Sequence, residues 1–481
     1  MADVIVIGAG ITGCVTAREL SRYRADVLVL EKGNDVAVGA TKANSGIVHA
    51  GFDAHPGTLK ARYNVRGAGL FPKMSRKLDF PYRENGAMVL NFSEEGTKEL
   101  EKLLEQGKEN GVSGLKIISG DQAREMEPSI SGKVVNALYV PTSGIVSPYE
   151  MAIAYAENAA TNGARFEFNK RVISVRNEDG LFVVKTEDGC RYTAKAIVNC
   201  AGVCSDVINN MLCAKKYTIT ARKGEYELLD KSYGYLTSTT LFQLPTAMGK
   251  GVLVAPTAHG NILVGPTATD IPGKLDVDTT AEGLATAWKQ ASLTVENLPR
   301  RGIITQFAGL RAHVSEGDFV IGATDVPGFY NCLGVESPGL SSAPAIGKDL
   351  AIWVAGYLGL EEKNTFISER KGIPHFARLT DEQRNELIKK NPLYGKVVCR
   401  CETVTEGEIV EAIRRTPGAH DMDGIKRRTR AGMGRCQAGF CTPRVMEILA
   451  RELKTEQKEV TKNGGKSYLL IDRIKEDEKN D

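Results

Sequence analysis

The chain has 481 residues, of which 42% are hydrophobic and 25% charged, enough for two or three domains with sizeable cores in a soluble globular protein. Its 62 basic and 59 acidic residues leave a formal charge of +3, which gives no bulk-charge basis for nucleic-acid or membrane-surface binding. No stretch approaches the roughly 18–20 apolar residues that span a bilayer, and a strand starting at Asp3 leaves no room for a signal peptide, so direct membrane insertion is not expected and the cytoplasm is the expected compartment.

Residues Asp3 to Ile7 read as a buried parallel strand. Gly8-Ala-Gly10-Ile11-Thr12-Gly13 follows at once and opens a helical pattern to about Arg22; Asp26-Val-Leu-Val-Leu-Glu31 then gives a second strand ending in an acid. In this order the glycines let the backbone approach a pyrophosphate at the helix amino terminus, and Glu31 is placed for a ribose. The fingerprint alone fits FAD or NAD. Thr41-Lys-Ala-Asn44-Ser45-Gly46 and Ala196-Ile-Val-Asn-Cys-Ala201-Gly202 favour FAD, and the second Gly-x-Gly-x-x-Gly that an NAD site would require is missing, so NAD is not expected to bind.

Further along, residues 106–127 read as polar helix, 142–148 as a loop, and 149–162 as helix. The runs starting at Phe166 and Leu181 read as a return hairpin, and 217–264 as mostly antiparallel strand. Residues 381–392 are charged and read as a linker or surface helix. Thr405-Glu-Gly-Glu408 ahead of Ile409, Ala412 and Ile413 is a capping box, and Thr442-Pro443 opens another helix. Residues 453–481 are mostly charged apart from Tyr468-Leu-Leu-Ile471, a docking strand or a tail. No internal repeat is found.

Six cysteines, Cys14, Cys190, Cys200, Cys204, Cys213 and Cys332, stand singly, as buried or reduced thiols do. The other four cluster as Cys399-Arg-Cys401 and Cys436-Gln-Ala-Gly-Phe-Cys441, four thiolates for iron or zinc. Between and after them Lys426-Arg-Arg-Thr-Arg430, Arg435 and Arg444 read as a solvated basic face, one suited to offset cluster charge or dock an acidic redox partner.

The opening fingerprint, Thr41 to Gly51 with its Asn-Ser-Gly-x-x-His49, Lys250 to Thr267, Phe307-Ala-Gly309-Leu-Arg311, and Glu336-Ser337-Pro-Gly339-Leu340 through Gly347 together resemble the FAD-dependent glycerol-3-phosphate oxidase and dehydrogenase group of the D-amino-acid-oxidase-like superfamily, which also contains L-2-hydroxyglutarate oxidases. The cysteine segment resembles the bacterioferritin-associated-ferredoxin-like 2Fe-2S domain.

The resemblance implies α/β plus α+β architecture: a Rossmann-like FAD domain with an antiparallel-sheet substrate domain, then a small helical 2Fe-2S domain. The expected organisation is a flavin oxidoreductase over 1–375, with nucleotide-binding parts about 1–80, 145–215 and 300–375 and substrate parts about 81–144 and 216–299, a linker over 376–394, the cluster domain over 395–452 and a tail over 453–481. It further implies FAD held by Gly8, Gly10, Ile11, Thr12, Gly13, Glu31, Lys32, Thr41, Asn44, Ser45, Gly46, Val172, Ala201, Gly202, Gly309, Gly339 and Leu340, and a 2Fe-2S cluster on Cys399, Cys401, Cys436 and Cys441.

Flavin oxidation of a secondary alcohol needs a base for the hydroxyl proton, and the resemblance assigns it to His49. His55, His259, His313, His375 and His420 lack that context. An anionic substrate needs a cation fork, and Arg311 is the first choice; Ser337 is implied as a pocket serine, with Lys250 and Arg222 as further phosphate candidates. The expected reaction oxidises sn-glycerol 3-phosphate to dihydroxyacetone phosphate, electrons passing through the cluster to an NAD(P)H-linked flavoprotein or small redox protein, within an oligomer or heteromeric complex. The alternatives are an L-2-hydroxyglutarate or other 2-hydroxy-acid enzyme, a non-catalytic FAD and Fe-S electron-transfer subunit, and a zinc-regulated binding protein.

Overall fold

Ala2–Ile7 is apolar apart from Asp3 and runs straight into glycine, which suits a strand covered on both faces. In the computed structural model, which describes residues 1–244 and 251–472, it is strand β1, central in a mixed sheet. The chain turns into helix α1 (Ile11–Leu20) and returns as β2 (Val27–Leu30), parallel to β1 with Val4 opposite Val27 and Ile7 opposite Leu30. This sheet runs 172–178, 181–186, 191–199, β1, β2, 165–167, with Phe329–Leu333 parallel to 191–199 and Val320–Ala323 antiparallel to that strand. Helices Pro148–Thr161 and Gly339–Leu358 pack on α1. A Cβ on Gly347 would stand 2.5 Å from Val15 Cγ1, so these helices touch backbone to side chain.

A nine-stranded sheet runs 269–271, 219–229, 262–265, 253–256, 240–243, 87–91, 136–140, 116–119, with Ile303–Val314 along the other edge of 219–229. The short strand β3 (Ile47–Val48) joins Gly144–Val146 and Tyr82–Glu84 in a small sheet of its own.

The chain divides into two units: Met1–Lys32 with Val36–Gly372, and Gly33–Asp35 with Ile373–Asp481. In the second, Val397–Cys399 pairs with Val404–Thr405, and helices Glu406–Arg414, Met422–Thr429 and Thr442–Leu453 enclose a core of Ile409, Ile425, Val445, Ile448 and Leu449. Thr405 closes a complete capping box: its hydroxyl accepts from Glu408 N, and the Glu408 carboxylate accepts from Thr405 N at 2.7 Å.

Several sequence expectations are corrected. Residues 106–127 are not one helix: a helix ends at Glu109, Lys116–Ser119 is an edge strand, and Gly120–Met126 is a second helix capped by Ser119. Lys116-Ile-Ile-Ser is too short to show a period of two. The Phe166 run splits at Asn169, whose φ of 57° breaks it into Arg165–Glu167 and Val172–Glu178; only the second forms the hairpin with Leu181–Thr186. Asp381–Lys390 is a capped helix.

The basic run is largely internal. Arg427 and Arg428 are buried on the Asp35 carboxylate at 2.6 and 2.7 Å, Arg430 is buried on Glu402 at 2.8 Å, and Arg444 donates to Glu406 at 3.0 Å. Buried guanidiniums require such counter-ions, and a sequence window does not contain them.

Candidate active site

In the glycine turn after β1, Gly8 and Gly13 have no room for a side chain. Gly8 sits at φ +107°, and a Cβ there would lie 2.4 Å from the Cys200 carbonyl oxygen; on Gly13 it would lie 1.9 Å from the Gly8 oxygen. Gly10 caps α1 without a side-chain hydrogen bond, which leaves the helix amino terminus to a phosphate. Ile11 N donates to Thr41 Oγ1 at 3.0 Å, and Thr12 and Gly13 form the first turn. At the end of β2 the buried Glu31 accepts from Ala9 N at 2.7 Å, holding its carboxylate against the turn where a ribose would lie. Glycine cradle, uncapped helix and acid together fit the adenosine diphosphate half of FAD.

Other expected FAD residues are spread over the first unit. Lys32 Nζ lies 3.8 Å from Cys204 Sγ, Ala201 N donates to Asn199, Gly202 takes φ +57°, and Val172 pairs with Thr186. Asn44 stiffens its own loop: Nδ2 donates to the Ala40 and Thr41 carbonyls and Oδ1 accepts from Gly46 N at 2.8 Å. Ser45 is half-buried beside it; Gly46, at φ +66°, would direct a Cβ to 2.6 Å from the Val146 oxygen. Gly339 and Leu340 begin the long helix Gly339–Leu358.

His49 follows β3 and is 6% exposed. Its backbone is clamped: His49 N donates to Ser341 Oγ at 2.8 Å and its carbonyl accepts from Asn64 Nδ2. Asn64 lies on helix α2 (Leu59–Ala68), which meets Ser341 so closely that a Cβ on Gly67 would stand 2.1 Å from the Ser341 oxygen. The His49 ring packs on Phe242, centroids 5.7 Å apart. Ser341, Asn64 and Phe242 were missed by sequence reading. Ser341 lay in a recognised segment, but nothing local marks Asn64 or Phe242.

The strand bearing Arg311 comes down onto this loop. A Cβ on Gly309 would lie 1.9 Å from the Ala43 carbonyl oxygen, so only glycine permits the approach. Two residues on, Arg311 faces Arg222 across the strand pair, and Tyr226 stacks on Phe307 at 4.8 Å. Arg222 is held by Asp270 through two hydrogen bonds at 2.6 and 3.1 Å. Arg311, by contrast, donates to the Thr267 carbonyl at 3.2 and 3.3 Å and meets the Tyr226 hydroxyl, with no carboxylate in ion-pair range among the described residues. Burial pushes the Tyr226 phenol up while Arg311 pulls it down. Tyr226, too, was missed.

Glu336 gathers Lys60 at 3.0 Å and His313 at 3.1 Å, Ser337 beside it is exposed, and Lys250 lies outside the described residues. His259 is taken by Glu150 at 2.5 Å.

In the second unit the four thiols form two pairs: Cys401 Sγ to Cys436 Sγ at 3.6 Å, and Cys399 with Cys441. The Cys441 thiol, followed by the Gly432 and Glu402 backbone N–H groups, lowers Cys399 to about 6 against the effect of burial, and Cys441 is pushed up in return. Two pairs suit two irons with two thiolates each, whereas a single zinc needs four on one point. Gly434 keeps the site open, since a Cβ there would lie 2.3 Å from Cys401 Cβ.

The family described as FAD dependent oxidoreductase matches residues 3–353. The chain belongs to this family. The BFD-like [2Fe-2S] binding domain matches residues 397–451, and the cofactors are FAD and a 2Fe-2S cluster. A glycerol 3-phosphate dehydrogenase of Caloramator mitchellensis is 48% identical over 98% of both chains. A glycerol 3-phosphate oxidase of Mycoplasma genitalium is 32% identical over 72% of this chain and 92% of its own. The FAD-bound L-alpha-glycerophosphate oxidase structure from Mycoplasma pneumoniae superposes with a TM-score of 0.73 at 29% identity, covering 78% of this chain and 99% of that one. Within this oxidoreductase family the present chain thus combines a flavin unit with a cluster unit. No helix among the described residues is long and apolar enough to cross a membrane.

Proposed function

We propose that this oxidoreductase oxidises sn-glycerol 3-phosphate to dihydroxyacetone phosphate in the cytoplasm and delivers the electrons to a separate redox protein. The observation that carries the reading is Arg311: a half-buried guanidinium with no carboxylate partner among the described residues, on the strand that Gly309 seats against the Ala43 loop. The similarity to glycerol 3-phosphate dehydrogenase and oxidase chains supports the same substrate.

When bound, FAD supplies a two-electron acceptor for hydride at N5, and the 2Fe-2S cluster supplies a one-electron relay. Gly8, Gly10, Gly13, Glu31 and Thr41 would hold the first, and Cys399, Cys401, Cys436 and Cys441 the second. Arg311 binds the phosphate through its planar fork, with Ser337 at the pocket edge. The His49 imidazole takes the proton from the substrate's C2 hydroxyl as the C–H bond breaks, and Ser341 and Asn64 keep the base in place by gripping its backbone. Phe242 keeps water from one side of the ring.

Anaerobic titration of the holoenzyme with sn-glycerol 3-phosphate tests this: flavin absorbance is expected to bleach at stoichiometric substrate, with L-2-hydroxyglutarate ineffective. Bleaching by L-2-hydroxyglutarate alone would transfer the assignment to 2-hydroxy acids, and bleaching by neither would end it.

A further inference from the structure

We propose that the electron acceptor is a small acidic ferredoxin-type protein, and that it docks on the loop Cys436–Cys441 with Phe440 as apolar anchor and Arg400 and Arg435 at its rim. The inference rests on the relay reading above.

The cluster site is asymmetric. Cys399 and Cys441 are 2% and 4% exposed, whereas Cys401 is exposed and Cys436 half-buried. An acceptor must therefore approach from the Cys401 and Cys436 edge. In the loop that joins Cys436 to Cys441, Phe440 is 87% exposed, and Val397, two residues before Cys399, is exposed as well.

The loop is not loose. Gln437 and Ala438 both hold positive φ, Gln437 N donates to the Gly434 carbonyl at 2.8 Å, Gly439 N to the Cys436 carbonyl at 3.1 Å, and Gln437 Nε2 to the Gly434 carbonyl at 3.0 Å. Beyond it, the helix Thr442–Leu453 is anchored by Val445, Met446, Ile448 and Leu449. A phenyl ring presented on so firm a loop is preorganised for contact, and aromatic residues carry much of the binding at interfaces.

Charge names the partner. Many arginines of this unit are engaged by carboxylates: Arg427 and Arg428 by Asp35, Arg430 by Glu402, Arg444 and Arg451 by Glu406, Arg414 by Glu452 and Arg415 by Glu411. Arg400 and Arg435, flanking Cys401 and Cys436 in sequence, are exposed, and Arg400 has no carboxylate in ion-pair range among the described residues. A positive rim around an apolar centre selects an acidic surface and speeds its encounter. In each encounter one electron leaves the reduced cluster for the oxidised ferredoxin, with no bond made and no proton moved; two encounters complete one substrate oxidation.

The test is calorimetric titration of the FAD- and cluster-loaded protein with an acidic 2Fe-2S ferredoxin, with basic cytochrome c as control. The ferredoxin is expected to bind and to weaken as salt rises. Phe440→Ala should raise its Kd about 30-fold, the size of an aromatic hot spot, with the cluster's electron paramagnetic resonance signal and flavin bleaching by substrate unchanged. Arg400→Glu should weaken binding and flatten the salt dependence, and decides the matter if Phe440→Ala loses its cluster. Equal binding of cytochrome c, wild-type affinity in Phe440→Ala, or wild-type affinity and salt dependence in Arg400→Glu overturns the proposal. So does a dimer of this chain that Phe440→Ala dissociates while no ferredoxin binds. Failure of substrate to bleach the flavin would instead count against the proposed reaction, because the binding measurement needs no turnover.

Discussion

Arg222 and Arg311 stand opposite each other on adjacent antiparallel strands, yet among the described residues only Arg222 has a carboxylate partner. Like charges so placed repel, and Asp270 neutralises one of them. The second positive charge is the one assigned to the substrate phosphate in the proposed reaction. Arg311→Gln is therefore expected to lower kcat/KM for glycerol 3-phosphate by about 10²-fold, roughly 3 kcal/mol for two charge-assisted hydrogen bonds, with FAD content intact. Stopped-flow flavin reduction over a substrate series checks it, and an unchanged kcat/KM would remove Arg311 from the pocket.

His49→Asn should retain FAD while slowing flavin reduction by about 10²- to 10⁴-fold, the range of general-base catalysis. Ser341→Ala, which deletes only the hydroxyl that accepts from His49 N, is expected to cost nearer tenfold. Single-turnover traces distinguish the two.

Gly309→Ala places a methyl 1.9 Å from the Ala43 carbonyl oxygen, and backbone lies on both sides. The strand must move off the loop that precedes His49. Loss of at least tenfold in kcat/KM is expected, measured beside Gly356→Ala, an exposed helical position where no atom lies within 4 Å, as control for introducing a methyl at a glycine.

Replacing Cys401 and Cys436 by serine should abolish the visible absorbance of the cluster and its iron content while leaving the FAD complement and the bleaching of flavin by substrate. Elemental analysis and anaerobic spectra read both in one preparation. Zinc at one equivalent in the wild type, without iron, would contradict the cluster.

Burial pushes the Asp35 carboxyl up, but Arg428 and then Arg427 outweigh it and hold it at about 2. Since the folded value lies below the unfolded one of 3.8, this contribution is complete above about pH 4 and is lost as pH falls toward 2; the difference is worth about 2 kcal/mol. Asp35→Asn should destabilise the second unit by about 3–5 kcal/mol at neutral pH and flatten its acid limb. Chemical denaturation followed between pH 2 and 7 gives both numbers.

The nucleotide half was legible because its logic is local: strand, glycine turn, helix and acid lie within residues 2–31, where periodicity and spacing suffice. The cysteine pairs were legible for the same reason. Arg222 and Arg428 were not, because the carboxylates that claim them, Asp270 and Asp35, lie 48 and 393 positions away. Nor was the clamp on His49 readable, since Asn64 and Ser341 are ordinary polar residues until two helices bring them to one backbone segment. Lys116–Ser119 was missed because four residues carry too little pattern to outvote helical neighbours.

The allocation of Gly33–Asp35 to the second unit bears on how such a chain can be cut or recombined. A fragment starting at residue 373 would hold all four cysteines but leave behind the acid that neutralises Arg427 and Arg428, and also Asn34, which donates to Asp421. The cluster module is thus not a detachable cassette. Transplanting it onto another flavoprotein requires carrying a tripeptide from the far end of the gene, or supplying a substitute anion at the same spot.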